Sequence, residues 1–316
     1  MLCQFSVKNF RCLKDQVTLD MQAANVGEHK ESVLADIDGE RYLPLAVIYG
    51  PNGGGKSTVL DALFSLCSKV MGPVFSAQGN QMRMESYSAR IEPFAFQPEM
   101  KKEPTEFEIF FRTDVYEYQY NVAIQNENIM FESLYHKKIT GRQYRKVFIR
   151  EQGQKIQLSG NLKKAQVNDI SDTITLLSYL MITYGKNQTV EDVKKWFVHK
   201  INFLDYKLNT IELRMALPTV DAMKPRLLQM FQEMGLDIVD YRIEQTDEPG
   251  RIRIFTVHNV NDAQYELDLH KESSGTIKIF NSIPFIADAL VNGKTLVVDE
   301  LDAKLHPLLL QYIIRL

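Results

Sequence analysis

The chain has 316 residues, a length of about two domains at ~150 residues each. Hydrophobic residues make up 45% and charged residues 24%, which excludes wholesale disorder, collagen and low-complexity sequence. Lys and Arg number 37 against 40 Asp and Glu; the net charge of -3 excludes a global basic field toward nucleic acid, though not a local patch. The three cysteines, Cys3, Cys12 and Cys67, form no CxxC pair and no metal-like spacing. So sparse a set fits a reducing, cytoplasmic setting and small buried side chains. The opening MLCQFSVKNFRCL lacks the apolar run of a signal peptide. The most apolar stretch, Leu176 to Tyr184, is far shorter than the ~20 residues of a membrane helix, so no membrane partner is expected.

In chain order, Phe5 and Val7, then Val17, Leu19 and Met21, alternate as two strands joined by a turn around Arg11–Asp15. Pro44–Tyr49 is a continuous apolar run, the pattern of a strand buried on both faces. It leads into GPNGGGKST, after which Val59, Leu60, Leu63, Phe64, Leu66 and Cys67 recur at helical spacing, with a stop expected near Met71–Pro73. Phe107–Phe111, Val115–Ile124, Ile129–Tyr135, Lys146–Arg150 and Lys155–Leu158 read as an antiparallel meander. Helical periods follow from Asp169 to Asn202 and from Thr219 to Met234, and Trp196-Phe197 reads as core. Strands return over 237–269, with a hairpin of Ile252–Val257 and Tyr265–Leu269. Ser273–Asp288 reads as a helix, Thr295–Val298 as a buried strand and Leu305–Leu316 as a helix. No repeat and no sustained heptad appears.

Gly50-x4-Gly55-Lys56-Ser57 fits the phosphate-loop pattern and has the expected context of strand before and helix after. The chemistry needs these types. Gly50, Gly53, Gly54 and Gly55, with Asn52, let backbone N–H groups converge on phosphate oxygens. Lys56 brings positive charge to the β and γ phosphates, and the hydroxyl of Ser57 can ligate Mg2+, with Thr58 beside it at the helix start. The expected ligands are ATP and Mg2+. Far along the chain, Leu296-Val297-Val298-Asp299-Glu300 is an apolar strand ending in two acids. Beside a phosphate loop these divide into a metal-shell residue, Asp299, and a residue that orients or deprotonates water, Glu300. The catalytic pair is therefore Lys56 and Glu300, and the metal pair Ser57 and Asp299. The long gap from Lys56 to Asp299 reads as an insertion within one core: residues 1–100 and 266–316 are its two parts, and 101–265 an α+β insertion.

Ser273-Ser274-Gly275 opens a helix shortly before Asp299 and, alone, is a good cap. With FSVKNFRCL, GPNGGGKST, ESSGT and LVVDELDAKLHP in place, and Phe94–Phe96, Pro104–Phe107 and Tyr116–Tyr120 in the meander, the sequence resembles the ABC-type ATPase heads of the RecF, structural-maintenance-of-chromosomes and OLD groups. The nearest likeness is to AAA-family ATPases of bacterial abortive-infection and restriction-linked loci. The resemblance covers most of the chain. It implies an α/β P-loop NTPase with a two-lobed ABC-like core. It implies that Ser274 and Gly275 contact the γ phosphate held by the opposite subunit, so that two copies or more assemble around ATP. Ile277 departs from the polar residue that transporters carry there. Leu301–Leu305 and His306 fall where a D-loop lies; Asn9 and Arg11 fall near the nucleotide, and Gln97 at the Q-loop. The strand with the switch histidine of such heads is not reached, so the core is expected either to be truncated at the end of this chain or to be completed by another segment.

The resemblance further implies hydrolysis that controls a separately encoded effector, a nuclease or toxin, in anti-phage defence. A non-hydrolysing ATP-gated scaffold and a RecF-like DNA-repair ATPase are the alternatives. His136–Arg150 carries six Lys or Arg and no acid, with aromatics interleaved, and is the candidate contact for DNA or RNA beside the plainer reading of a solvated hairpin.

Overall fold

The computed structural model describes residues 1–25, 30–80, 89–167, 170–204, 224–245, 252–261, 263–303 and 305–315. They fall into two compact units, Met1–Ile201 and Asn202–Leu316, each taken by itself below.

The first unit is built on a seven-stranded antiparallel sheet. Its strands are β1 (Leu2–Lys8), β2 (Val17–Asp20), β5 (Thr105–Arg112), β6 (Tyr116–Gln125), β7 (Asn128–Lys138), β8 (Arg145–Glu151) and β9 (Gln157–Leu158), in the order β2-β1-β5-β6-β7-β8-β9. Two short strands, β3 (Leu34–Ala35) and β4 (Arg41–Tyr42), form a separate pair. The register carries one apolar face across the sheet: Val7 opposes Phe107, Phe107 opposes Val122, Ile109 opposes Tyr120, and Tyr120 opposes Leu134. That face is covered by α1 (Lys56–Ala77), α2 (Leu176–Thr183) and α3 (Gln188–His199), whose Leu63, Leu66, Val70, Leu177, Val193 and Trp196 are buried. The β6–β7 link is a two-residue turn, with Asn126 and Glu127 both at positive φ, as a tight hairpin demands. The meander, the first two strands and the buried Trp196-Phe197 pair match the sequence reading.

A polar network locks helix to sheet. Glu132 lies fully buried in β7 and its carboxylate accepts from the N–H groups of Leu176 and Leu177 and from the Tyr120 hydroxyl, at 2.6, 2.9 and 3.0 Å. A carboxylate at a helix N-terminus meets the free N–H groups and the positive end of the dipole. Burial still dominates, and its pKa is pushed up from 4.5 to about 7.

Two expectations are corrected here. The helix after the glycine loop does not stop near Pro73; it runs to Ala77 with Pro73 inside. Val74 and Phe75 beyond the proline are buried, and apolar burial of ~1.5–3 kcal/mol each offsets the ~3 kcal/mol of an interior proline. The stretch 44–49 is not a buried strand. It pairs with no strand among the described residues, and Leu45, Val47 and Tyr49 are exposed. Its apolar side chains therefore lie outside the core that α1, α2 and α3 close over the antiparallel sheet. At 22 residues α1 is long and apolar enough to cross a membrane, but its apolar face is the one packed into this core.

The second unit holds β10 (Ile201–Leu204, all but its first residue), α4 (224–233), the antiparallel sheet β11 (Asp240–Gln245), β12 (Ile252–Val260) and β13 (Ala263–Asp268), then α5 (Ser274–Asn292), β14 (Thr295–Val298) and α6 (Pro307–Arg315). β10 and β14 form a two-stranded sheet. The expected hairpin is β12–β13, with Val257 opposite Glu266. The core gathers Leu227, Phe231, Tyr241, Ile254, Ile279, Phe280, Ile283 and Ile313. Phe280 of α5 stacks on Phe231 at 5.4 Å and meets Tyr241 edge-on at 5.2 Å. β14 is half-buried rather than fully buried. Of the expected helix from Thr219, residues 219–223 lie outside the described residues.

Candidate functional site

In the first unit the glycine loop delivers the chain into the N-terminus of α1. Gly53 and Gly55 take φ of 79° and 87°, a region costly for residues with a Cβ. Gly55 is also crowded: a Cβ there would lie 3.1 Å from Leu13 and 3.4 Å from the Cys12 sulfur. The turn after β1 therefore braces the loop from behind. Cys12 Sγ lies 3.1 Å from Thr58 Oγ1, and the Arg11 guanidinium pairs with Asp61, one turn into α1, at 2.5 Å. The Lys56 ammonium donates to the carbonyls of Gly50 and Pro51, both at 2.9 Å, and Gly54 N–H donates to Pro51 O at 3.0 Å. Asn52 and Ser57 are exposed. Arg11, the glycines, Lys56, Ser57 and Thr58 thus share one corner of this unit.

Asn9 does not join them as a surface group. It is fully buried at φ 57°, its amide donates to the carbonyls of Met100 and Glu103, and its side-chain oxygen accepts from Phe94 N–H. It fastens the end of β1 to the 94–104 stretch. Gln97 is exposed and heads the short turn Pro98–Lys102.

In the second unit Ser273 caps α5, its hydroxyl accepting from Thr276 N–H at 3.1 Å, which leaves Ser274 exposed in the first turn and Gly275 beside it. Glu272, just before the cap, is held by β12: Thr256 and His258 reach its carboxylate at 2.5 and 2.6 Å. β14 ends at Val298, and the chain turns sharply, with Glu300 at φ 47° and Asp299 Oδ1 accepting from Glu300 N–H at 3.0 Å. That kink breaks strand alternation, so the two adjacent acids do not simply face opposite ways. The buried Lys278 of α5 donates to the carbonyl of Glu300 at 2.8 Å and to that of Ala303. His306 caps α6 through Nδ1, which accepts from Leu308 N–H at 3.3 Å, ahead of Pro307 at the first helical position.

Sequence reading did not assign Lys278, Thr256, His258 or Asp61. Only Lys278 carried a signal: it lies four residues after Ser274, on the same helical face. The basic hairpin is also thinner than its composition suggests. Arg150 is buried and donates to Ile174 O, Lys137 pairs with Glu117, and Lys146 bonds Gln157. Lys138, Arg142 and Arg145 remain exposed.

A glycine loop on a helix N-terminus is the phosphate-binding element of the P-loop NTPases, and that is the class of domain present here. Residues 45–172 and 184–316 match the family described as "AAA domain, putative AbiEii toxin, Type IV TA system", and the chain belongs to that family. It is accordingly an AAA/ABC-type member of the abortive-infection group. Comparison with curated proteins finds no match.

Proposed function

We propose that this protein is a cytoplasmic ATPase that binds and hydrolyses ATP, dimerises around it, and controls a separately encoded effector, a nuclease or toxin, in anti-phage defence. The observation that carries the reading is the glycine loop, with its two left-handed glycines, its brace from Leu13 and Cys12, and its helix N-terminus. Lys56 now rests on two loop carbonyls, and a phosphate oxygen would compete for the same ammonium with the advantage of full charge.

On this reading residues 1–100 and 266–316 make one two-lobed core, and 101–265 are its insertion. The loop amides of Gly50–Gly55 and the side chains of Asn52, Lys56 and Thr58 hold the phosphates, and Arg11 sits behind them. Glu300 orients the attacking water and takes its proton. Ser57 and Asp299 offer oxygen ligands of the kind Mg2+ prefers, and the ion would offset charge developing on the phosphates. Ser274 and Gly275 present a hydroxyl and free helix N–H groups to the nucleotide of a second copy. The family description, with its toxin and toxin–antitoxin wording, supports the link to an effector.

Phosphate release by the full chain tests the reading. K56A should abolish nucleotide binding, and E300Q should keep binding while lowering turnover by ~10²-fold or more. Turnover unchanged in E300Q would remove Glu300 from that role, and a parent chain that releases no phosphate would favour the non-hydrolysing scaffold.

A further inference from the structure

Lys278 stands apart from the other charged groups of the second unit. It is 7% exposed, on a helix whose neighbouring positions Ile279, Phe280 and Ile283 form the core. A lysine ammonium is rarely taken out of water, and here it donates to two main-chain carbonyls, those of Glu300 and Ala303. The Glu300 carbonyl also accepts from Ala303 N–H at 3.0 Å, closing a turn. Glu300 itself is held at φ 47°, a conformation that residues with a Cβ rarely adopt and that persists only where the surroundings impose it. The ammonium grips both ends of the segment that follows this strained residue. Its other end is anchored four residues after Ser274, one turn along the same face of α5.

We propose that Lys278 is a positioning residue for hydrolysis: it fixes the left-handed backbone of Glu300 and ties the loop from Asp299 to Ala303 to the helix that Ser274 opens, one turn in from its start. The inference rests on the ATPase reading given above. Without the ammonium, the carbonyls of Glu300 and Ala303 lose a charged donor, and the Glu300 peptide is free to relax toward commoner φ/ψ values. The carboxylate then starts from a different Cα–Cβ direction. Nucleotide capture belongs to the glycine loop and does not need this contact. The tie also gives a rigid route by which a shift of the Ser274 turn, on meeting a second copy, reaches Glu300 in the same chain.

The test uses the full chain, with steady-state ATPase kinetics and thermal unfolding measured together. K278M, which fills the space without a donor, should lower kcat by ~10–100-fold, the scale of an ångström-level misplacement, while KM for ATP stays within about threefold. K278R, which keeps the donors, should recover most of the rate. A double-mutant cycle distinguishes positioning from general damage. On the E300Q background K278M should lower the residual rate by no more than about twofold, because a misplaced group that is already disabled has little left to lose. Full multiplicative loss on that background, kcat within about twofold of the parent, or equal loss of KM and kcat would overturn the proposal. Should K278M fail to fold, K278Q, with one amide donor, takes its place: a rate between parent and E300Q supports the inference, and a parental rate overturns it. A parent chain that hydrolyses no ATP would count against the ATPase reading itself, a result distinct from these.

Discussion

Glu132 shows how one buried side chain can set a property of the fold. Three hydrogen bonds favour its ionised form, yet burial outweighs them and places its pKa at about 7, above the ordinary 4.5. The folded state then binds more protons than the unfolded state between those values. Its contribution to stability is therefore fully present below about pH 4.5 and is lost as pH rises through about 7. Chemical denaturation of the parent should show stability declining across that window, by up to about 3 kcal/mol from this group. E132Q, which cannot ionise, should flatten the decline; an identical profile in E132Q would remove Glu132 as its source. Gly55 is the second case. G55A must hold a Cβ at φ 87° against Leu13 and Cys12, so a loss of about 1–2 kcal/mol in stability and a clear weakening of ATP binding are expected by denaturation and titration.

Elements are joined by a few charged groups that periodicity does not reveal. Arg112 at the end of β5 is buried and donates to Asp36 and Asp38 in the β3–β4 excursion and to Glu117 of β6. Glu117 keeps Lys137 if Arg112 is removed, but the partly buried Asp36 and Asp38 lose this cation. R112M should destabilise the first unit by roughly 3–5 kcal/mol. Limited proteolysis should then cut first near residues 34–42; unchanged cleavage would show that Arg112 does not hold that segment. These links also mark the limit of what the sequence made legible. The meander, its hairpin turn at Asn126–Glu127 and the helix after the glycine loop follow from local patterns. The exposed 44–49 stretch and the passage of α1 through Pro73 do not, because each depends on which distant face is available for packing. Among the candidate residues, the loop glycines, Lys56 and Ser57 of the first unit and Asp299 and Glu300 of the second are readable because the proposed chemistry demands those residue types. Lys278 and the Thr256–His258 hold on Glu272 are not, since a buried lysine and a capped carboxylate declare themselves only when their partners are in place.

At the scale of the whole molecule the candidate residues divide between two compact units, the glycine loop and Lys56 in one and Ser274, Asp299 and Glu300 in the other. Under the proposed sandwich, Ser274 and Gly275 would meet the nucleotide held by a second copy. Light scattering with ATP and the E300Q variant should show a dimer that S274A, by losing the hydroxyl, weakens; a mass unaffected by ATP would remove the sandwich. The nucleic-acid alternative rests on Lys138, Arg142 and Arg145. If it holds, R142E/R145E should weaken duplex binding and flatten its salt dependence, and equal binding by both proteins would discard the patch. The central claim is ATP turnover by Lys56 and Glu300, and phosphate release at saturating ATP and Mg2+ tests it most directly. The account predicts measurable release by the parent chain, none above background for K56A, and ~10²-fold or greater loss for E300Q with ATP still bound. Release from E300Q at the parental rate, or a parent no faster than buffer, would contradict it.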